Sequence, residues 1–543
     1  MSELALETWA KPREKSSSTA LVILAAIALV ACLQVSLAFS KDINWDEFSH
    51  FSQIHAHLRG EPVNVTQTPY IHLYGWVTQL PGSTIEHIQL IRAMILPFEL
   101  LLVAAIVLTA TRFADLKTSL LCGLAYMTAG YAFTQGLALR ADVISASLLM
   151  TALAIGFHRK LDAITIGAMA VLVLLGFFST VKATLYLPAF LALAYYRRSE
   201  LGRWVWIVPI GGVAVAGLIA IAVPDIFAQI VTRLEASADR MFGGGLFPQA
   251  AHWIRQTAMA SVFSLLLAGF VYWLAKAKSP QKPILALLAL PALWPIVYFN
   301  SYPYFFAFIL PPVAVALAPV IDWMTKRYGA LAVTAVLTLN AAAIWLVQPQ
   351  ARLDNQREVQ QLVRAAFPEP VTYIDESGMI GDYPRAWQRF ASGWNLQSYH
   401  AAGEPVYSQK VLTGHIPLLL INGRSLHNIF AETPMGERLF AEDEALLRAN
   451  YIRHAGVVMV AGKRFGAGEV RENELVATPG EYRVEGGPIR VDERAYEAGE
   501  IVALDRANYS FANLSDTPSA LRWAAAGQPT QRDVIFQDLF SGY

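Results

Sequence analysis

Apolar runs of about twenty residues recur along the first 350 positions of this 543-residue chain, each long enough to cross the hydrocarbon core of a bilayer. Inside lipid a backbone can hydrogen-bond only to itself, so such runs fold as helices. Composition agrees: 55% of the residues are hydrophobic and 15% charged, against roughly a quarter charged in ordinary globular domains. The sequence predicts a polytopic α-helical membrane protein. Formal net charge is zero, which gives no footing for a nucleic-acid partner. Cys32 and Cys122 both lie in apolar runs and read as small buried hydrophobes, not a disulfide framework. "LVAC" at Leu29–Cys32 fits a lipoprotein cleavage pattern, but the apolar run continues past it, so Cys32 stays within a span.

The expected spans are 19–39, 89–111, 118–138, 143–157, 163–180, 183–196, 204–223, 257–275, 284–299, 304–321 and 330–348, about eleven in all. Basic clusters precede the first span (Lys11, Arg13, Lys15) and then fall in every second connection, from Arg112/Lys117 to Lys326/Arg327. By the positive-inside rule these connections are cytoplasmic. The N-terminus is then inside and, with an odd number of spans, the C-terminus outside. Residues 1–350 form the membrane domain, with a first outward loop at 40–88 and a second at 224–256. From 351 to 543 charges become frequent and short β-rich runs alternate with helical patterns such as "DNQREVQQLVRAAF". This part reads as an outward soluble domain of mixed α/β type.

Carboxylates are costly near lipid, so their placement carries information. Asp46 and Glu47, in "NWDEF", sit just beyond the first span, and Asp142 lies in a very short outward connection beside Arg140. Short connections pin their residues at the membrane surface, so separate elements can bring these carboxylates to one shallow cavity. One carboxylate as base with a second orienting a partner is what a hydroxyl-activating enzyme needs. Taken singly, each acid is better explained as the solvated end of a helix; the adjacent pair in "NWDEF", amid aromatics, is less easily explained so. Outward cations are few: Arg92, Arg140, Lys182, and Arg233, Arg240 and Arg255 with His252 in the second outward loop. Such cations can neutralise a lipid phosphate; for Lys182 and Arg92, snorkelling to the interface is the competing explanation. Glu99, seven residues after Arg92 on one helical face, reads as a partner within the bundle. Loop 224–256 carries helical apolar spacing interrupted by "GGG", as a lid or a passive interfacial helix would. Asp46 and His50 are one helical turn apart. With no H-E-x-x-H or cysteine cluster beside them, the only cofactor left open is a loosely bound divalent cation.

Several segments, in order, resemble the GT-C glycosyltransferases, nearest to the protein O-mannosyltransferase and lipid A aminoarabinose transferase group. They are "NWDEFSHFSQIHAHLRGE", "TPYIHLYGW", "LRADVISASLLM", "STVKATLYLPAF" and "FNSYPYFFAFILPP". The resemblance covers about 1–350 and implies transfer of a sugar from a polyprenyl phosphate to an acceptor hydroxyl, with inversion. It implies Asp46 as general base, Glu47 in support, Asp142 as the second acid, and Lys182, Arg140 and Arg255 as phosphate contacts. His50, Tyr70, His252, Tyr302 and Tyr304 are the remaining candidates for substrate contact. The chain departs from the pattern at Gln67–Thr68, where relatives carry a lysine before a Pro-Pro pair, so phosphate neutralisation must come from elsewhere. The expected acceptor is lipopolysaccharide, lipid, another envelope glycan or a protein. A transporter or flippase built around Glu99, and an oligosaccharide ligase, are the alternatives.

Overall fold

A computed structural model describes residues 17–63, 68–202, 243–348, 351–387, 393–433, 438–529 and 534–540, with isolated positions between 204 and 232. Helices α1 (Ser17–Ser40), α4 (Thr84–Ala110) and α7 (Ala141–His158) are each long and apolar enough to cross a membrane. Two further units reach that length only as bent pairs. One is α11 (Ala250–Met259) with α12 (Ser261–Lys276), at 95°; the other is α14 (Pro303–Ala316) with α15 (Ala318–Tyr328), at 62°. Shorter apolar helices complete the bundle: α5 (Leu116–Met127), α6 (Tyr131–Gln135), α8 (Ala163–Ser179), α9 (Leu187–Tyr196) with the brief α10 (Arg198–Leu201), α13 (Lys282–Ala289) and α16 (Ala330–Leu346).

Against the eleven spans expected, three straight helices reach spanning length among the described residues, or five with the bent pairs, and the other apolar helices are shorter. Hydropathy reports apolarity and is blind to helix breaks. The expected span 118–138 divides into α5 and α6 at Gly130, whose φ of 55° disfavours other residues. The span expected at 284–299 passes from α13 into a 3₁₀ turn, Leu290–Ile296, that holds Pro291 and Pro295. Proline there removes the N–H an α-helix needs. Most of 204–223 lies outside the described residues.

At the centre of the bundle is α14, all fourteen of whose residues are buried; it packs against α4, α5, α6, α7 and α13. Leu21, Ile164, Leu331 and Leu339 face outward from the rim, as an apolar solvent would favour.

Beyond α17 (Ala351–Ala366) the chain forms two sheets. The larger runs β1 (Tyr373–Ile374), β2 (Leu418–Leu420), β4 (Val458–Phe465), β11 (Ser519–Trp523), β6 (Gly480–Glu485) and β9 (Ile501–Leu504), with β3 (Tyr451–Ala455) paired to β4. Only β1–β2 is parallel in this sheet. The smaller runs β5 (Val470–Leu475), β10 (Asn508–Asn513), β7 (Ile489–Val491) and β8 (Arg494–Tyr496). The β-rich runs "PVTYI", "IPLLLI", "GVVMVAG" and "EIVAL" overlap β1, β2, β4 and β9, and "GERLFAEDEALLRANY" contributes α18 (Ala441–Asn450). The α/β half shares one continuous apolar core with the bundle, whereas Phe465, Tyr482, Val484 and Phe511 belong to a separate core between the sheets.

The first loop and the C-terminal domain meet at the same end of the bundle. Within that loop lie α2 (Trp45–Leu58) and α3 (Pro69–Leu73). Gln356 of α17 accepts from Ile43 N–H (2.9 Å) and donates to the carbonyls of Ile43 (2.8 Å) and Leu539 (2.8 Å). Gly381 N–H donates to Thr84 Oγ1 at 3.0 Å. A β-carbon at Gly378 would lie 2.6 Å from Ser52 Oγ, so glycine permits the close approach. Gln356→Leu leaves three buried backbone groups without partners, at about 1–3 kcal/mol each before relaxation. We expect a clearly lower melting temperature for this variant and easier proteolytic release of the C-terminal domain; a wild-type melt contradicts the docking described.

Candidate active site

The start of α2 sets the site. Asn44 caps the helix: its Oδ1 accepts from Asp46 N–H at 2.9 Å, and its own N–H donates to Glu47 Oε2 at 3.0 Å. This capping box fixes where the next two acids point. Successive helical residues diverge by about 100°, so Asp46 and Glu47 address different neighbours.

Glu47 turns into the bundle. Arg92 Nε and a terminal nitrogen donate to its two oxygens at 2.8 and 2.5 Å, and Leu139 N–H donates at 2.8 Å. The remaining Arg92 donors reach the carbonyls of Ala38, Lys41 and Asp42 at 3.3, 3.0 and 2.9 Å. Burial alone would raise the Glu47 carboxyl, but the Arg92 guanidinium and the N–H donors outweigh it and hold the group at about 2. Arg92 does not snorkel: α4 begins at Thr84, five residues before the expected span, which sets Arg92 two turns inside the helix and 4% exposed. Nor does it serve Glu99, which is enclosed deeper in the bundle and receives the Tyr126 hydroxyl at 3.4 Å.

Asp46 faces an alternating chain of charges. Its Oδ2 pairs with Arg140, whose Nε donates to Asp142 Oδ2 at 3.2 Å, and Lys182 donates to Asp142 Oδ1 at 2.6 Å. These groups come from the starts of α2 and α7 and from the 3₁₀ turn Val181–Tyr186. Tyr304 of α14 is the floor, with the Arg140 guanidinium 3.3 Å and the Lys182 ammonium 4.5 Å from its ring centre. All four charged side chains are largely buried, at 6–13% exposure.

The other expected residues ring this network. His50 stacks on Tyr70 at 4.5 Å, and the Tyr70 hydroxyl donates to Gln53 at 3.1 Å. Burial, helped by Arg140, lowers His50 to about 4; its buried Nδ1 has no hydrogen-bond partner among the described residues. His252, on α11, lies 5.6 Å from Tyr302, which is 6.1 Å from Tyr304. Arg255 is not part of the network. It lines a neighbouring cavity of about 70 Å³ together with Lys41, Glu47, Arg92 and Tyr131. Lys41 had no assigned role in the sequence reading, although it precedes the acidic segment. Arg233, Arg240, Gln67 and much of loop 224–256 lie outside the described residues; its described end, α11, meets α12 at 95°. Among the described residues no group of three or more histidine, cysteine or carboxylate side chains converges as a metal cage. A divalent cation at Asp46 or Asp142 would compete with Arg140 and Lys182 for those carboxylates.

No family model and no curated protein matches this sequence. Among solved structures, the chain is similar to ArnT from Cupriavidus metallidurans bound to undecaprenyl phosphate. The two share 12% identity and a TM-score of 0.50 over 75% of this chain and 94% of that one. The fold is GT-C-like. An oligosaccharyltransferase from Archaeoglobus fulgidus, in complex with zinc and sulfate, aligns over 94% of this chain and 100% of its own, at 12% identity and a TM-score of 0.48. At 12% identity the likeness to ArnT is one of fold, and the site rests on its own geometry.

Glu47 and Asp46 should therefore respond differently to substitution. Arg92→Ala or Glu47→Gln breaks a buried pair, which costs about 3–5 kcal/mol when one partner is removed. We expect a marked fall in melting temperature in detergent for both, and a much smaller one for Asp46→Asn, because Arg140 keeps Asp142. Equal melts for all three variants would contradict the division of roles.

Proposed function

We propose that the protein is a glycosyltransferase that moves a sugar from a polyprenyl-phosphate donor to an acceptor hydroxyl at the outer face of a bacterial inner membrane. The observation that carries this reading is the Asp46–Arg140–Asp142–Lys182 chain over Tyr304. It places a carboxylate beside two buried cations at one end of an apolar bundle, where a lipid-linked phosphate would meet an aqueous acceptor.

The chemistry follows from the charges. As the acceptor oxygen bonds to the anomeric carbon, its proton passes to the Asp46 carboxylate. The bond from that carbon to the phosphate oxygen breaks on the opposite face, and its electron pair leaves with the polyprenyl phosphate. One displacement inverts the anomeric centre. Arg140 and Lys182 meet the charge growing on the phosphate, with Arg255 and Lys41 as further cations toward the neighbouring cavity. They supply the charge that Gln67 and Thr68 do not. Asp142 holds Arg140 and Lys182 in place, and Glu47 is a positioning residue. His50, neutral above about pH 4, offers its ring nitrogen to a substrate hydroxyl; Tyr70, Tyr302 and His252 line the approach. The fold shared with a structure that holds undecaprenyl phosphate supports the donor class. Lipopolysaccharide, another envelope glycolipid or glycan, or a protein is the acceptor.

The test is mass spectrometry of envelope glycolipids from wild-type cells, a deletion strain, and the deletion carrying Asp46→Asn. General-base loss should lower the rate by about 10²–10⁴-fold. We expect a sugar-sized mass deficit in the deletion that the variant, expressed at wild-type level, does not restore. Full restoration would remove Asp46 as the base.

A further inference from the structure

The C-terminal domain has an open groove of about 770 Å³, remote in sequence from the Asp46 network. Six cationic side chains line it: Arg438, Arg448, Arg453, Lys463, Arg464 and Arg471. Among the described residues, Glu444 is the one carboxylate in the lining. Glu444 answers Arg438, and Glu474 and Glu469 answer Lys463 and Arg471 from outside the groove. Arg448, Arg453 and Arg464 are exposed, with no carboxylate partner among the described residues.

The groove is built by regular structure. In the β3–β4 ladder, Arg453 stands opposite Met459 and Tyr451 opposite Ala461. Paired residues share a face, and the two-residue period carries Lys463 onto it as well. Helix α18 supplies the other wall through Ala441, Ala445 and Ala449, at four-residue spacing. Alanine keeps that wall low, while Arg448 rises from the same face. Phe430, Ile452 and Met459 add apolar surface to the lining. Like charges gathered on a concave surface repel one another and favour a bound anion. Guanidinium groups suit phosphate, which they grip with two parallel hydrogen bonds. The volume lies in the range of sites for whole small molecules, well above the need of a bare phosphate.

We propose that this groove binds the phosphorylated head group of a glycan or glycolipid. Binding there is independent of sugar transfer at Asp46. If that transfer holds, the ligand of this groove is its phosphate-bearing acceptor.

The experiment uses the full chain in zwitterionic nanodiscs and isothermal titration calorimetry. The probes are a diphosphorylated glucosamine disaccharide, its unphosphorylated counterpart, inorganic pyrophosphate, and phosphatidylglycerol vesicles. We expect the phosphorylated disaccharide to bind most tightly, by about tenfold or more over the others, and to weaken with salt. Joint replacement of Arg448, Arg453 and Arg464 by glutamine should weaken it by about tenfold or more, while Arg490→Gln, outside the groove, should not. If the triple variant does not fold, the single Arg453→Glu, at an exposed position, carries the test. Unchanged affinity in a folded groove variant overturns the proposal. Pyrophosphate binding as tightly as the disaccharide overturns it in favour of a free-phosphate site, and preferred vesicle binding overturns it in favour of a membrane-surface patch. Asp46→Asn should bind the disaccharide normally, which separates this result from any failure of the transfer reading.

Discussion

The end of the bundle that carries the Asp46 network is organised by one buried ion pair. Arg92 and Glu47 bring together the end of α1, the start of α2, the interior of α4 and the backbone ahead of α7. A buried pair of this kind is often no more stabilising than well-packed apolar residues would be. Its value lies in direction: both Glu47 oxygens and all the Arg92 nitrogens are engaged, so α2 is held in one rotation. With Glu47 drawn inward, Asp46 is left facing Arg140. The docked C-terminal domain holds the same segment from the other side, through Gln356 and Ile43.

The Asp46 network is held differently. Two carboxylates and two cations alternate, so the cluster is neutral as a unit, and Tyr304 shields one side. In the proposed reaction an arriving lipid phosphate can share Arg140 and Lys182 with Asp142 without exposing either cation to lipid. The charge is already in place before the leaving group develops its own, which is the preorganised electrostatics that favours such a transition state.

Much of this site was legible in the sequence because rare charges stand out in an apolar background. Asp46, Asp142, Arg140 and Lys182 each sit at the end of an apolar run, and the structure brings all four together. Tyr304, singled out through the resemblance of "FNSYPYFFAFILPP", lies under Arg140 and Lys182. Arg92 was misplaced because α4 gains extra turns from a capping box at Ser83 and Glu86, polar residues that hydropathy scores as loop. Lys41 and Gln356 left no signal, since one reads as flanking charge and the other as an ordinary residue of an amphipathic helix. The broken helices escaped for a related reason: glycine and proline interrupt hydrogen bonding while leaving apolarity intact. The β-rich second half of the C-terminal domain appeared only as isolated runs, because antiparallel pairing between distant segments has no local mark.

The most direct measurement is a cryo-electron microscopy structure of the protein in nanodiscs loaded with a polyprenyl phosphate. The account predicts density for the phosphate against Arg140 and Lys182, facing Asp46 across the space left for a sugar, with the polyprenyl tail along the apolar bundle. A phosphate seated elsewhere, with the Asp46 network closed and untouched, would contradict it.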